Sequence, residues 1–308
     1  MNPMGSPLFG EVCAQRFGDA TICLSADELG HASKERLVAL LAVIPEVYTQ
    51  WLDEESRRSD DLEDQQLELA GAHLDAAREV SRRIREGIST ISTNPRALEA
   101  FQLSQRAISI QYRWRAGDSN QRMCWRPFQL AFQLLCLTGL LDGPDGDRPD
   151  HPERDIMDLL WFPTGGGKTE AYLALTAMTI FARRLRSQDE GAGTTVLMRY
   201  TLRLLTMQQF ERASRLILAC EKLRREQPDK LGGIPIDIGL WVGSSTTPNK
   251  ISDAREGDAR GVRQLARCPA CGDEKSLRWD VKPETPDFIV ACKNTNCEMA
   301  GELPIYTI

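Results

Sequence analysis

The sequence predicts an α/β protein with a helical N-terminal region, a parallel sheet carrying a phosphate-binding loop, and an inserted four-cysteine zinc ribbon. Three observations predict it. Residues 156 to 170, IMDLLWFPTGGGKTE, set an apolar run, a glycine turn and a helical pattern in that order. Cys268-x2-Cys271-x20-Cys292-x4-Cys297 presents four thiols in two pairs. Residues 33 to 114 repeat apolar side chains at steps of three and four, the period of a helix buried on one face. Breaks in composition divide the 308 residues into a mainly helical region, 1–119, a nucleotide-binding lobe, 120–250, and a linker with the ribbon, 251–308.

Composition narrows the class. The net charge of −6 excludes a protein that coats polyanions wholesale, so any nucleic-acid contact must be local. The longest apolar stretches, Leu37 to Ile44 and Phe128 to Leu141, are too short or too polar to span a bilayer. The N-terminus has no basic segment followed by a long apolar one, so no secretory signal is expected. Nine cysteines with four in metal-ligand spacing fit a reducing cytosol better than a disulfide framework.

Residues 1 to 30 lack periodicity and read as an irregular or partly extended lead-in. From Ser33, Leu37, Leu40, Leu41, Ile44 and Tyr48 share one helical face, with a kink or break expected at Pro45. A second stripe runs through Leu67, Ala70, Leu74, Ala77, Val80, Ile84, Ile88 and Ile91. Asn94 can then cap a third helix whose first turn holds Pro95 and which ends near Trp114. Arg82, Arg83 and Arg85 read as solvated charges rather than a nucleic-acid site. This region carries no chemistry of its own.

After a linker at 117 to 120, Arg126, Phe128 and Gln129 open a helix with Leu130, Leu134 and Leu137 on its apolar face. The Gln129 amide has a donor and an acceptor side, which suits the edge of adenine, and Arg126 could cover the ring. The other reading makes Gln129 a surface residue of an amphipathic helix. A polar loop, 142 to 154, leads to Ile156–Phe162, read as a buried strand. Pro163, Thr164, Gly165, Gly166 and Gly167 form the turn, and Lys168, Thr169 and Glu170 begin the next helix. Glycines let backbone N–H groups face inward, and the helix adds its positive end. Lys168 can reach the β- and γ-phosphates and the Thr169 hydroxyl can hold Mg2+. Phe162 stands where the first glycine of such loops belongs; the alternative is a glycine turn that binds nothing.

Thr195 to Tyr200 reads as a second buried strand, followed by a helix with Phe210, Ala213, Leu216, Ile217, Cys220 and Leu223 on one face. Thr201 and Arg203 lie at that junction, where open α/β sheets bind ligands. Ile236 to Val242 reads as a third strand, ending in a loop with Thr246 and Thr247. These groups can hold a nucleic-acid backbone, although Ser, Thr, Pro and Asn are also ordinary turn residues. Alternating strands and helices predict parallel pairing in a doubly wound sheet.

Cys268, Cys271, Cys292 and Cys297 fit a tetrahedral, all-thiolate Zn2+ site with no open position, hence structural rather than catalytic. The ribbon is too short to bury a core unaided, so metal would contribute on the order of 10 kcal/mol to its folding. A redox pair or disulfides are the alternatives. His31, His73 and His151 read as surface or capping residues, and Cys13, Cys23, Cys124, Cys136 and Cys220 as small buried hydrophobes.

With these residues in hand, the chain resembles superfamily-two helicases. PTGGGKTE resembles their motif I, WRPFQLAF the upstream glutamine motif, RYTLRLLTMQQF motif Ia, and GLWVGSSTTPN the Ib–Ic region. A ribbon behind these motifs and a helical leader is similar to the N-terminal part of the helicase subunit of the DISARM phage-defence system. The resemblance covers roughly residues 94 to 308. It implies a partial RecA-like lobe in which Lys168 and Thr169 hold ATP–Mg2+ and act in catalysis. Pro163, Thr164, Gly165, Gly166, Gly167 and Glu170 would shape the site, and Gln129 with Arg126 would read adenine. Thr201, Arg203, Thr246 and Thr247 would touch DNA, with RNA not excluded. It further implies partner subunits of a defence complex, no membrane, and a cytoplasmic location. The sequence departs from the family in three respects, the acidic box first. Asp-Glu pairs occur at 27–28, 53–54, 189–190 and 273–274, none after an apolar strand as a DExH box requires. With no such box, second lobe or arginine finger, the chain is expected to be the N-terminal part of a longer helicase and inactive alone. The rival reading is a zinc-ribbon adaptor that uses nucleotide only structurally.

Overall fold

A computed structural model describes residues 14–17, 20–117, 122–141, 151–161, 165–200, 203–242, 263–281 and 288–307. The chain forms two compact units, one from residues 1–106 and 122–182, the other from residues 107–121 and 183–308.

In the first unit, β1 (Ala14–Phe17) and β2 (Ala20–Cys23) form an antiparallel hairpin. Helix α1 (Ala26–His31) and helix α2 (Lys34–Ser59) each start on a serine. Ser25 Oγ accepts from the Glu28 N–H at 3.0 Å and Ser33 Oγ from the Arg36 N–H at 3.2 Å. Of the kink or break expected at Pro45, the break does not occur, because α2 runs through it. Packing against α3 (Asp64–Thr93) supports the helix there, and Arg85 of α3 donates to the Pro45 carbonyl at 3.3 Å. Tertiary contact thus overrides a local breaker. The apolar stripe of α3 is buried only in its second half, at Ile84, Ile88 and Ile91, whereas Leu67 is exposed. Asn94 caps α4 (Pro95–Ala116) as expected, its Oδ1 accepting from the N–H groups of Arg96 and Ala97.

Helix α5 (Pro127–Leu140) packs on α3, and the crossing is backbone on backbone at Gly87. A Cβ there would lie 2.1 Å from the Leu134 carbonyl oxygen. Only glycine admits that approach. Helix α6 (Lys168–Ser187) buries Ala171, Leu173, Ala174, Ala177, Met178 and Phe181.

In the second unit, α7 (Arg203–Glu226) buries Phe210, Ala213, Leu216, Ile217, Cys220 and Leu223, the face read from its periodicity. The short α8 (Pro228–Leu231) and β3 (Ile238–Leu240) follow. The ribbon is an antiparallel sheet ordered β4 (Leu277–Val281), β5 (Phe288–Cys292), β6 (Gly301–Leu303). β7 (Ile305–Thr307) then pairs parallel with β3, Ile238 opposite Ile305 and Leu240 opposite Thr307. Among the described residues this is the one parallel pairing, so the sheet is far smaller than a doubly wound one.

Among the described residues two expected strands are absent. Residues 156–161 form no ladder, and Met157 and Trp161 are 92% and 89% exposed. Residues 195–200 form none either, with Leu197 81% exposed. Their apolar composition is that of interior strands. A parallel strand exists only through partners, however, and no strand among the described residues pairs with either segment.

Candidate functional site

The glycine turn sits at the entrance to α6. Gly165 and Gly167 have φ of 81° and 89°, the left-handed region that a side chain disfavours. Helix α5 grips the turn by its carbonyls. Gln129 Nε2 donates to the Gly167 oxygen at 2.7 Å, and Arg126 Nη1 to the Gly166 oxygen at 3.4 Å. The peptides are trans and planar, so capturing these carbonyls turns the N–H groups of Gly167 and Lys168 away from α5. Helix α6 begins at Lys168, which places the positive end of its dipole at the turn. N–H groups beside a helix start are the chemistry that holds phosphate.

Gln129 is buried rather than a surface residue, and both ends of its amide are engaged. Its Oε1 accepts from the Arg126 N–H at 2.9 Å, which caps α5 while Nε2 holds the turn. Behind it lies a buried chain of amides. Gln133 Nε2 donates to the Gln129 carbonyl at 3.2 Å, Gln105 Nε2 to Gln133 Oε1 at 2.9 Å, and Trp125 Nε1 to Gln105 Oε1 at 2.6 Å. The sequence reading missed this chain. A single buried-type signal, Trp125 beside two glutamines four apart, was its only trace.

Arg83 corrects the reading of the α3 arginines as solvated. Its side chain is buried against the carboxylates of Glu153 and Asp158. Arg85 is likewise engaged, on Ser81, Thr49 and Pro45. Arg82 and Arg85 both stay exposed, Arg82 paired with Glu79 and Glu86.

The second cluster is the four cysteines, brought together by the CPAC turn, the end of β5 and the loop after it. Their sulfurs all lie within 4.8 Å of one another. Cys268 and Cys297 are 3.9 Å apart, Cys271 and Cys292 3.8 Å. A tetrahedron with Zn–S bonds of about 2.3 Å has sulfurs about 3.8 Å apart, whereas a disulfide needs about 2.05 Å. The four are free thiols, and they can hold a metal ion such as Zn2+. Ser276 Oγ lies 3.4 Å from Cys292 Sγ and 3.7 Å from Cys271 Sγ, and the Met299 N–H donates to Cys297 Sγ at 3.4 Å. Such polar neighbours, the Met299 N–H donor among them, orient and steady a thiolate set. Burial pushes the Cys268 thiol up and that of Cys297 to about 12. Burial also raises Cys271, but the Asp273 N–H, the Ser276 hydroxyl and neighbouring thiols outweigh it and hold that group below its usual value. A divalent cation supplies the charge that four thiolates at this spacing require.

The ribbon is not an isolated module. Val290, Met299, Leu303 and the ligand cysteines share one core with Phe210 and Leu218 of α7 and Leu240 of β3. Arg215 of α7 donates to the Pro269 carbonyl of the CPAC turn at 3.0 Å. Spacing alone could not reveal this.

Other expected residues fall as follows. Pro163, Thr164, Thr201, Thr246 and Thr247 lie outside the described residues, and of Arg203 only its place at the first position of α7 is described. Glu170 lies in the first turn of α6. His31 bonds the Asp27 carbonyl at its own helix end, His73 is exposed, and His151 caps the 3-10 turn Pro152–Asp155. These are the surface and capping roles expected. Cys136 and Cys220 are free thiols, but Cys124 is disulfide-bonded, a departure from the expectation of reduced cysteines. No helix among the described residues is long and apolar enough to cross a membrane.

No family model matches the chain. It is 35% identical over 264 residues to a protein of Bacillus paralicheniformis described as DISARM protein DrmA, an alignment covering 73% of this chain and 23% of that protein. The chain thus spans about a quarter of its relative's length.

Proposed function

Because the chain belongs to the family of the DISARM protein DrmA over the stretch it spans, we propose that it is the nucleotide-binding part of an ATP-driven DNA helicase or translocase in phage-defence machinery. One observation carries the reading. The Gly166 and Gly167 carbonyls are taken up by Arg126 and Gln129, which turns the N–H groups of Gly167 and Lys168 away from those two side chains at the start of α6. In this reading, Lys168 meets the β- and γ-phosphates of ATP, and the Thr169 hydroxyl holds Mg2+ together with the phosphates. Pro163, Thr164 and Glu170 complete the site, and Arg126 and Gln129 serve adenine or, as their bonds here favour, the shape of the turn. The functional division is 1–119, 120–250 and 251–308. Zn2+ at the four cysteines is structural, and Thr201, Arg203, Thr246 and Thr247 meet a nucleic-acid backbone. The machine is cytoplasmic and holds further subunits.

No DExH box follows residue 170, so the reading for this chain is binding without turnover. The engaged Gln129 amide favours a second reading, a zinc-ribbon adaptor for DNA or protein with a structural nucleotide site. Calorimetry with ATP–Mg2+ and ADP–Mg2+ on the folded chain tests the first. Binding is expected, weakened at least tenfold by Lys168→Ala. A folded sample that ignores both nucleotides refutes it. DNA binding that survives Lys168→Ala and is lost in Cys268→Ser favours the adaptor.

A further inference from the structure

The glycine turn is held at its exit by α5, but the chain entering it is held by α3. Arg83 sends its guanidinium to two carboxylates at sequence separations of 70 and 75. Its Nη1 and Nη2 donate to Asp158 Oδ1 and Oδ2 at 2.7 and 2.9 Å, a bidentate fork. Its Nε donates to Glu153 Oε2. All three side chains are largely buried. The backbone at Glu153 is itself pressed on α5, where a Cβ on Gly139 would lie 3.1 Å from the Glu153 carbonyl oxygen. Asp158 is the inward-held residue of a segment whose neighbours, Met157 and Leu159, are exposed, and it precedes Gly165 by seven positions. Among the described residues no strand pairing fixes 156–161, and this ion pair, with the Cys136 thiol 3.6 Å from Asp158 Oδ2, anchors the lead-in.

We propose that Arg83 is a positioning residue for the glycine turn, acting through Asp158 and Glu153. The proposal rests on the reading of that turn as a nucleotide site. Position matters there because a phosphate must meet several backbone N–H groups at once, and small displacements cost large factors. Lysine cannot replace the fork. It offers a point charge, so Arg83→Lys keeps the charge balance and loses the bidentate geometry.

The experiment uses the full chain with Arg83→Lys, Asp158→Asn and the double variant, beside Lys168→Ala. Two quantities are read at a temperature where circular dichroism shows every variant folded: hydrogen exchange of the peptide spanning 156–170, and the Kd for a fluorescent ATP analogue with Mg2+. Each single variant is expected to speed exchange across 165–170 and to weaken binding on the order of tenfold. The double variant is expected to be no worse than Arg83→Lys alone, since Asp158→Asn breaks a contact that Arg83→Lys already breaks. Lys168→Ala is expected to weaken binding without speeding exchange. Unchanged exchange and unchanged Kd in both single variants, or losses that add in the double, overturn the proposal. Should the wild type bind no nucleotide, the nucleotide reading falls, and the exchange data alone decide whether Arg83 anchors the turn. Should Arg83→Lys not fold, Asp158→Asn and Glu153→Gln carry the test.

Discussion

The same substitution placed twice in one helix should have opposite signs. Gly71 and Gly87 both lie inside α3. A Cβ at Gly71 meets nothing within 4 Å, whereas at Gly87 it would stand 2.1 Å from the Leu134 oxygen, 2.9 Å from its carbonyl carbon and 3.3 Å from its Cα. These are backbone atoms, so no rotamer change relieves the clash, and α3 and α5 must part by roughly 1 Å to restore contact. Gly→Ala inside a helix gains up to about 1 kcal/mol in propensity. Overpacking costs about 1–3 kcal/mol, and a backbone clash belongs at the upper end. Gly87→Ala should therefore lose about 2 kcal/mol, a fall in Tm of roughly 4–8 °C, while Gly71→Ala should raise Tm by roughly 2–4 °C. Circular-dichroism melts of both variants at one protein concentration check this. Because α5 carries Arg126 and Gln129, Gly87→Ala should also speed hydrogen exchange in the glycine turn. A Gly87→Ala protein melting at or above the wild type, or both variants shifting together, would show that the α3–α5 crossing is not the constraint it is taken to be.

Two further outcomes follow from the second unit. Burial raises the Glu221 carboxyl, but Arg224, the Ile236 N–H and Arg225 outweigh it and hold the group below its ordinary value near 4.5. A depressed folded-state pKa gives stability that is present above the unfolded value and lost as pH falls through the folded one. Melts should drop from pH 5 downward more steeply in the wild type than in Glu221→Gln, and parallel profiles would contradict this. The purified chain should carry one equivalent of zinc, measured by elemental analysis. Cys292→Ser should abolish it and expose the core shared by the ribbon and α7, read as faster exchange in 207–223. Full zinc retention in that variant would remove Cys292 from the ligand set.

Helix positions could be read early because their signals are local. The face of α7, the helical start at Ser33 and the Asn94 cap each sit within a few turns of chain, the cysteines stand in two short-spaced pairs, and the structure keeps them. The two apolar runs before Phe162 and Tyr200 carried the composition of interior strands without being strands here. Pairing is a property of two segments, and neither run contains its own partner. At Pro45 the helix continues for the converse reason: a neighbour, α3, supplies what the local chain lacks.

Residue order alone settled where the helices could form and which four sulfurs could meet a metal, since helix faces follow from a few turns of backbone and the thiols stand in two closely spaced pairs. Packing settled the rest: Arg83 buried between carboxylates more than seventy positions away, Gln129 committed to the glycine turn, and the ribbon fused to the core of α7. Those contacts join residues distant in the chain, and their energy comes from shared burial and paired charge, which exist only once the chain has folded.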